Sequence, residues 1–271
     1  MTSPFQQRVH LSLDDPRLAH YRHIGDPTYL RAHHLFVAEG RLVVRRLLTS
    51  GSWRTESVLV TPTTYERLMS TLTGLSTPTP IYVVDQADMN GLVGFNIHRG
   101  CLALAVRPAE RVLSRAVVER VSRVLMLEGV NNPDNVGGIF RSAAAFGVDV
   151  VVLGPNCGDP LYRKAVRTSM AATLAVPFVT SGASPDAIGL LRSSGFTIVA
   201  LTPEPQAAPL PTLDRSPSRW ALIVGAEGDG LTPAALDAAD VRARIPTTEQ
   251  VDSLNVTTAA SIAMYHLFGD Q

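Results

Sequence analysis

Arg141 is carried on a piece of chain with more chemistry than a connector needs. The stretch Glu128-Gly-Val-Asn-Asn-Pro-Asp-Asn-Val-Gly-Gly-Ile-Phe-Arg-Ser-Ala packs three asparagines, an aspartate, a proline and three glycines between an apolar run and a helical pattern. The apolar run, Val124 to Leu127, reads as a buried strand, and Ile139, Ala143 and Phe146 fall on one face of the helix. Asp134 or Asn135 has the side chain to cap that helix, and Gly137 and Gly138 admit a ligand or another backbone at close range. Arg141 stands two turns in, among small and apolar residues. Taken alone, the stretch reads first as a cap, a turn and a snorkelling surface arginine.

Two later stretches change that reading. After the apolar run Ala221 to Val224 comes Gly225-Ala-Glu-Gly-Asp-Gly-Leu-Thr-Pro, a glycine turn between strand and helix that suits close backbone contact with a cofactor. Its order is G-x-x-G-x-G, not the dinucleotide G-x-G-x-x-G, and there is no G-K-[ST] phosphate loop. The last is Arg244-Ile-Pro-Thr-Thr-Glu-Gln-Val-Asp-Ser-Leu-Asn-Val-Thr-Thr-Ala-Ala, where Ser253 and Asn255 are placed to cap a closing helix rich in small residues. No Ser, His and Asp triad occurs in these stretches. His266 stands late on the last helix and reads as structural.

The elements that must position these residues follow a clear rhythm. From residue 124, strand candidates at 124–128, 148–153, 176–179, 197–201, 221–225 and 241–245 alternate with helix candidates at 136–146, 160–171, 185–194, 233–238 and 255–268. That alternation means a parallel sheet covered by helices on both faces, with ligands expected beyond the carboxyl ends of the strands. The segment 203–217, with five prolines, is expected to run irregularly over the surface.

Residues 1–106 read as a separate small α/β domain, and 107–122 as an arginine-rich linker. Within the former, 16–52 is expected to be mainly helical, with Ala38 to Leu48 most periodic; short strands at 57–60, 81–84 and 101–106 are separated by helices near 63–72 and 87–93. Six of the seven histidines (His10, His20, His23, His33, His34 and His98) fall here at irregular spacings without cysteine or acidic partners, so no metal is expected. They read instead as solvated or RNA-facing.

The 271 residues carry a formal net charge of zero, but the charge is uneven. Residues 1–54 hold eight arginines against four acids, whereas 221–271 hold two against seven; Lys164 is the single lysine. Arginine's planar fork suits phosphate and base stacking, although a codon bias would produce the same count. Arg41, Arg45 and Arg46 at helical spacing are either a solvated face or a phosphate-contacting one. The two cysteines, Cys101 and Cys157, form no metal spacing and argue for a reduced, cytoplasmic protein. No run of about 18 apolar residues is present to span a membrane, and none is expected to.

In this order, N-P-x-N-x-G-x-x-x-R at 132–141, G-x-E-G-x-G at 225–230 and I-P-x(6)-S-L-N-V at 245–256 resemble the SpoU/TrmH family of SPOUT-class RNA ribose 2′-O-methyltransferases. Lys164-Ala-Val-Arg-Thr-Ser resembles the family segment between the first two motifs. The resemblance covers about 124 to 268, and more loosely the N-terminal part is similar to the family's accessory RNA-binding domain of the kink-turn-binding ribosomal-protein type. It implies a parallel-sheet α/β trefoil-knot methyltransferase domain over 123–271, preceded by a small α/β RNA-binding domain over 1–106. It implies S-adenosyl-L-methionine as cofactor, no metal, and a homodimer.

By residue-wise carry-over, Leu201, Thr202, Gly225, Gly230, Ile245 and Leu254 are expected around the cofactor. Glu227, Ser253 and Asn255 are expected near the reacting end. Arg141, with Asn135, is expected to hold the acceptor ribose, and Arg163, Lys164 and Arg167 to contact RNA. Ala226 and Thr257 depart from the Asn and Ser the family often has there. Ribosomal RNA is the expected substrate. Transfer RNA is the alternative within the class, and a non-catalytic RNA-binding protein of ribosome assembly the alternative outside it.

Overall fold

A computed structural model of the chain describes residues 8–75, 77–97, 100–248 and 253–269, and of residues 8–10 the backbone only. His98 and residues 249–252 of the third motif therefore lie outside the described residues. The chain forms two compact units, one of Met1–Ala109 with Leu161–Leu174 and one of Glu110–Pro160 with Ala175–Gln271.

The first unit is built on a five-stranded mixed sheet in the order β1-β4-β3-β5-β2, with β1 Arg8–His10, β2 Leu35–Glu39, β3 Thr55–Val60, β4 Ile81–Val83 and β5 Cys101–Val106. β5 runs antiparallel to β2 and β3, which makes β2, β3 and β4 point the same way. The stretch expected to be mainly helical, 16–52, is broken up: a 3-10 turn at Pro16–His23 and helices Pro27–Ala32 and Arg41–Thr49 flank the strand β2. Leu35, Phe36, Val37 and Ala38 are consecutive and all buried. A continuous apolar run of this kind suits a strand covered on both faces. Gly40, at φ 94°, then turns the chain into the helix at Arg41.

Leu161–Leu174 belongs to this unit and not, as the sequence boundary at 123 would have it, to the second. Trp53 donates from Nε1 to the Leu174 carbonyl at 2.9 Å, and the Arg163 guanidinium lies 4.5 Å from the centre of the Phe95 ring.

The second unit carries a seven-stranded sheet in which every described pairing is parallel. Its order is β10-β12-β9-β11-β6-β7-β8, with β6 Arg123–Leu127, β7 Val150–Leu153, β8 Phe178–Thr180, β9 Thr197–Leu201, β10 Ala208–Pro209, β11 Trp220–Val224 and β12 Val241–Arg244. The central strands are buried end to end, Val124 to Leu127 and Ala221 to Ile223 at 0% exposure, the pattern of a sheet covered on both faces. The proline-rich segment supplies the short edge strand β10.

Helix Pro133–Ala145 follows β6. Its cap is Asn132, whose side chain accepts from the Asp134 N–H, rather than Asp134 or Asn135. Pro133 at the first helical position fixes this start one turn earlier than the apolar pattern indicated. The closing helix, Val256–Phe268, is capped by Asn255 and packs on Pro133–Ala145. That packing is close because residue 138 is glycine: a Cβ there would fall 2.7 Å from Thr257 Cγ2. No described helix is long and apolar enough to cross a membrane.

Candidate active site

β9, β11 and β12 lie side by side and end together, and the chain leaving each of them shapes one cavity of about 670 Å³. Leu201 and Thr202 come from the end of β9, Gly225 to Gly230 from the turn after β11, and Arg244 and Ile245 from the end of β12. Ser253, Leu254 and Asn255 close it from the segment before the last helix. All six residues expected around a cofactor line this cavity, as do Glu227, Ser253 and Asn255. Its position beyond the carboxyl ends of parallel strands is where such sheets bind ligands.

The glycine turn is closed by its own backbone. Ala226 and Gly230 exchange a pair of N–H to carbonyl bonds at 3.2 Å, folding residues 226–230 into a closed loop. Gly228 and Gly230 take φ of 91° and 70°. A Cβ on Gly225 would lie 2.2 Å from the Gly230 carbonyl carbon, so only glycine fits.

A polar junction stands beside this loop. Asn255 Oδ1 accepts from the Thr257 N–H at 2.9 Å, which fixes the amide with Nδ2 as its free donor. Nδ2 donates to Asn135 Oδ1 at 3.1 Å and to Glu227 Oε1 at 2.6 Å. Thr257 Oγ1 also lies 3.3 Å from the Asn135 carbonyl oxygen and from its Oδ1. Asn135 is buried in helix Pro133–Ala145, and Asn255 of the third motif thus joins a residue of the first motif to one of the second.

Arg141 is not brought to this point. It is exposed on helix Pro133–Ala145 and does not line the cavity of its own chain. The candidate RNA contacts are distributed within the first unit. Arg163 and Arg167 both bond to the Glu39 carboxylate, the latter at 3.0 Å, and Arg46 donates to the Met170 carbonyl. Lys164 shares their helix, Arg163–Thr168. Arg45 is exposed, and Arg41 lines a cleft of about 620 Å³ together with Arg67, Thr63 and Asp85.

Two further residues were not singled out from the sequence. Arg244 lines the cavity, and its buried Nε has no hydrogen-bond partner among the described residues. Glu128, at the end of β6, is buried and accepts from Ser184 and Thr232. An acid directly after a buried strand and an arginine directly before Ile-Pro were the available signals. Among the described residues no group of three or more metal-ligating side chains gathers.

Residues 122–265 match the SpoU rRNA methylase family. The chain belongs to this family. It is accordingly an RNA methyltransferase, a transferase by class. An uncharacterized tRNA/rRNA methyltransferase of Mycobacterium tuberculosis is 43% identical over 259 residues, which span 93% of this chain and 88% of that one. The 23S rRNA (guanosine(2553)-2′-O)-methyltransferase of Bacillus subtilis is 35% identical over 147 residues, 54% of this chain and 58% of its own length. Among solved structures, the AdoMet-bound rRNA methyltransferase of Sinorhizobium meliloti shares the fold with a TM-score of 0.79 at 21% identity, covering 97% of both chains. An RNA 2′-O ribose methyltransferase, 25% identical, gives a TM-score of 0.76 over 96% of this chain and 98% of its own.

Proposed function

We propose that this chain is an S-adenosylmethionine-dependent ribose 2′-O-methyltransferase acting on ribosomal RNA. The observation that carries the reading is the junction in which Asn255 joins Asn135 to Glu227, with Glu227 and Asn255 lining a cavity that they share with the glycine turn and Ile245.

The lining fits the cofactor. Gly225 lets the Gly230 and Leu231 backbone close against it, and the loop folded in this way lines the cavity together with Leu201, Ile245 and Leu254. Arg244 supplies a cationic donor, its buried Nε without a partner among the described residues, suited to a carboxylate. S-adenosylmethionine supplies an electrophilic methyl group on a sulfonium. Holding reactants at about 3–3.5 Å lowers such a barrier by up to about 7–11 kcal/mol, so positioning is the main task of the protein side chains.

Asn135, held by Asn255, and Arg141 are assigned to the acceptor ribose. A guanidinium has donors and no acceptor, so Arg141 orients the ribose and stabilises alkoxide charge instead of removing the proton. Glu227 at the cavity wall has a carboxylate able to take that proton, directly or through water.

The exposure of Arg141 away from its own cavity supports a homodimer in which it serves the partner's site. Tyr265 and Ile262, 67% and 40% exposed on the closing helix, supply an apolar face for that contact. The family's trefoil knot belongs to the same reading. RNA binding is assigned to the first unit, with Arg41 and Arg67 at the cleft where helices Arg41–Thr49 and Pro62–Thr73 begin. Ribosomal RNA is preferred over transfer RNA because the B. subtilis relative methylates a 23S rRNA guanosine.

Purified protein incubated with total RNA and S-adenosylmethionine labelled in the methyl group tests the proposal. Label in the ribosomal RNA fraction is the expected result, label in transfer RNA alone moves the substrate, and no label in any RNA leaves a binding protein.

A further inference from the structure

Glu128 holds both ends of the glycine loop. Its backbone N–H donates to the Val224 carbonyl at 3.0 Å, at the last residue of β11 before the loop begins. Its carboxylate Oε2 accepts from the Thr232 N–H at 3.0 Å, just after the loop ends. Oε1 accepts from Thr232 Oγ1 at 3.1 Å and from Ser184 Oγ. The Thr232 hydroxyl has its one hydrogen committed to Glu128, and its lone pair accepts from the Ala235 N–H at 3.3 Å, starting helix Pro233–Ala238. Glu128 is 8% exposed, so these bonds are formed out of water and water does not replace them when one is lost.

The loop needs such a grip. Gly228 and Gly230 give it backbone freedom, and between Ala226 and Gly230 its backbone bonds are to itself, with the Glu227 side chain reaching Asn255. A loop of this composition has many conformations to lose on binding, and a fixed base removes much of that cost.

We propose that Glu128 is the positioning residue of the cofactor loop, gripping Val224 through its backbone and Thr232 through its carboxylate so that residues 225–230 meet the cofactor preformed. This rests on the assignment of S-adenosylmethionine to the cavity. Ser184 provides the internal control. It bonds to the same carboxylate but begins helix Ser184–Ser193 and does not flank residues 225–230 in the chain. A carboxylate that merely stabilised the fold would need Ser184 and Thr232 alike.

Titration calorimetry with S-adenosylmethionine, with a melting curve for each variant, tests the proposal. Glu128→Gln and Thr232→Val should each weaken cofactor binding roughly tenfold, the scale of one hydrogen bond to a charged acceptor. Thr232→Ser should stay within about twofold of the parent, and Glu128→Gln with Thr232→Val should be little worse than either alone, as for residues acting through one contact. Ser184→Ala should lower the melting temperature as Thr232→Val does while leaving cofactor affinity within about twofold. Equal loss of affinity in Ser184→Ala and Thr232→Val, or unchanged affinity in folded Glu128→Gln or Thr232→Val, would overturn the positioning role alone. Absence of binding by the parent protein would overturn the assignment of the cavity as well.

Discussion

Asn135 and Asn255, separated by 120 residues in sequence, are joined side chain to side chain at 3.1 Å. The bond ties the first motif to the third and, through the second contact of Asn255, to Glu227 of the glycine turn. Asn255 also caps the closing helix, so its two roles can be separated. Asn255→Ala should cost about 1 kcal/mol of stability through the lost cap, whereas Asn135→Ala leaves the cap intact. Both should lose turnover. Equal stability of the two variants in denaturant titration would contradict this division.

Gly138 is the point where helix Pro133–Ala145 admits Thr257, and the neighbouring pair Ser142 and Ser261 meet at 2.7 Å between hydroxyl oxygens. Gly138→Ala should destabilise by about 1–3 kcal/mol through overpacking. Thr257→Ala in the same chain should recover most of that loss, since the clash is with Thr257 Cγ2 and Oγ1. Failure of the second change to restore the melting temperature would place the strain elsewhere.

For Arg141, both Arg141→Ala and Arg141→Lys should lower turnover by about 10²–10³, the scale for removing one preorganised electrostatic donor, with cofactor affinity unchanged. If the arginine were the base, the Lys variant would keep activity rising steeply with pH. A pH–rate profile of Arg141→Lys separates the two.

His266 gives the protein a pH response. Burial, together with the like charge of Arg215, holds its pKa below the usual 6.5. The unfolded chain therefore binds a proton at His266 before the folded one does, and stability falls as pH drops below about 6.5 toward the folded-state value. Denaturation midpoints should be lower near pH 5.5 than near pH 7.5, and the difference should shrink in His266→Gln. The same difference in the variant would assign the response to other groups.

The second unit was largely legible in the sequence. Strands such as Thr197–Leu201 and helices such as Val256–Phe268 announce themselves by apolar runs and caps, whereas cavity residues such as Leu201, Ile245 and Leu254 were expected only through the family resemblance. What was not legible depends on partners far along the chain. Arg163 and Arg167 look like free cations on a helix, but Glu39, 124 and 128 residues away, takes both. Leu161–Leu174 groups with the first unit through contacts such as Trp53 to Leu174, which no periodicity records. β2 was hidden because only Glu39 and Gly40 separate the apolar run Leu35 to Ala38 from the amphipathic helix at Arg41. Glu128 went unassigned because its donors, Ser184 and Thr232, lie 56 and 104 residues away.

The most direct test of the account is the chemical position of the transferred methyl group. A methyl on the ribose 2′-oxygen removes the internal nucleophile that alkali uses to cleave the adjoining phosphodiester. Ribosomal RNA labelled by this protein from S-adenosylmethionine and then hydrolysed in alkali should yield its label in a resistant dinucleotide. Label recovered instead in mononucleotides, as for a methylated base, would contradict ribose 2′-O transfer.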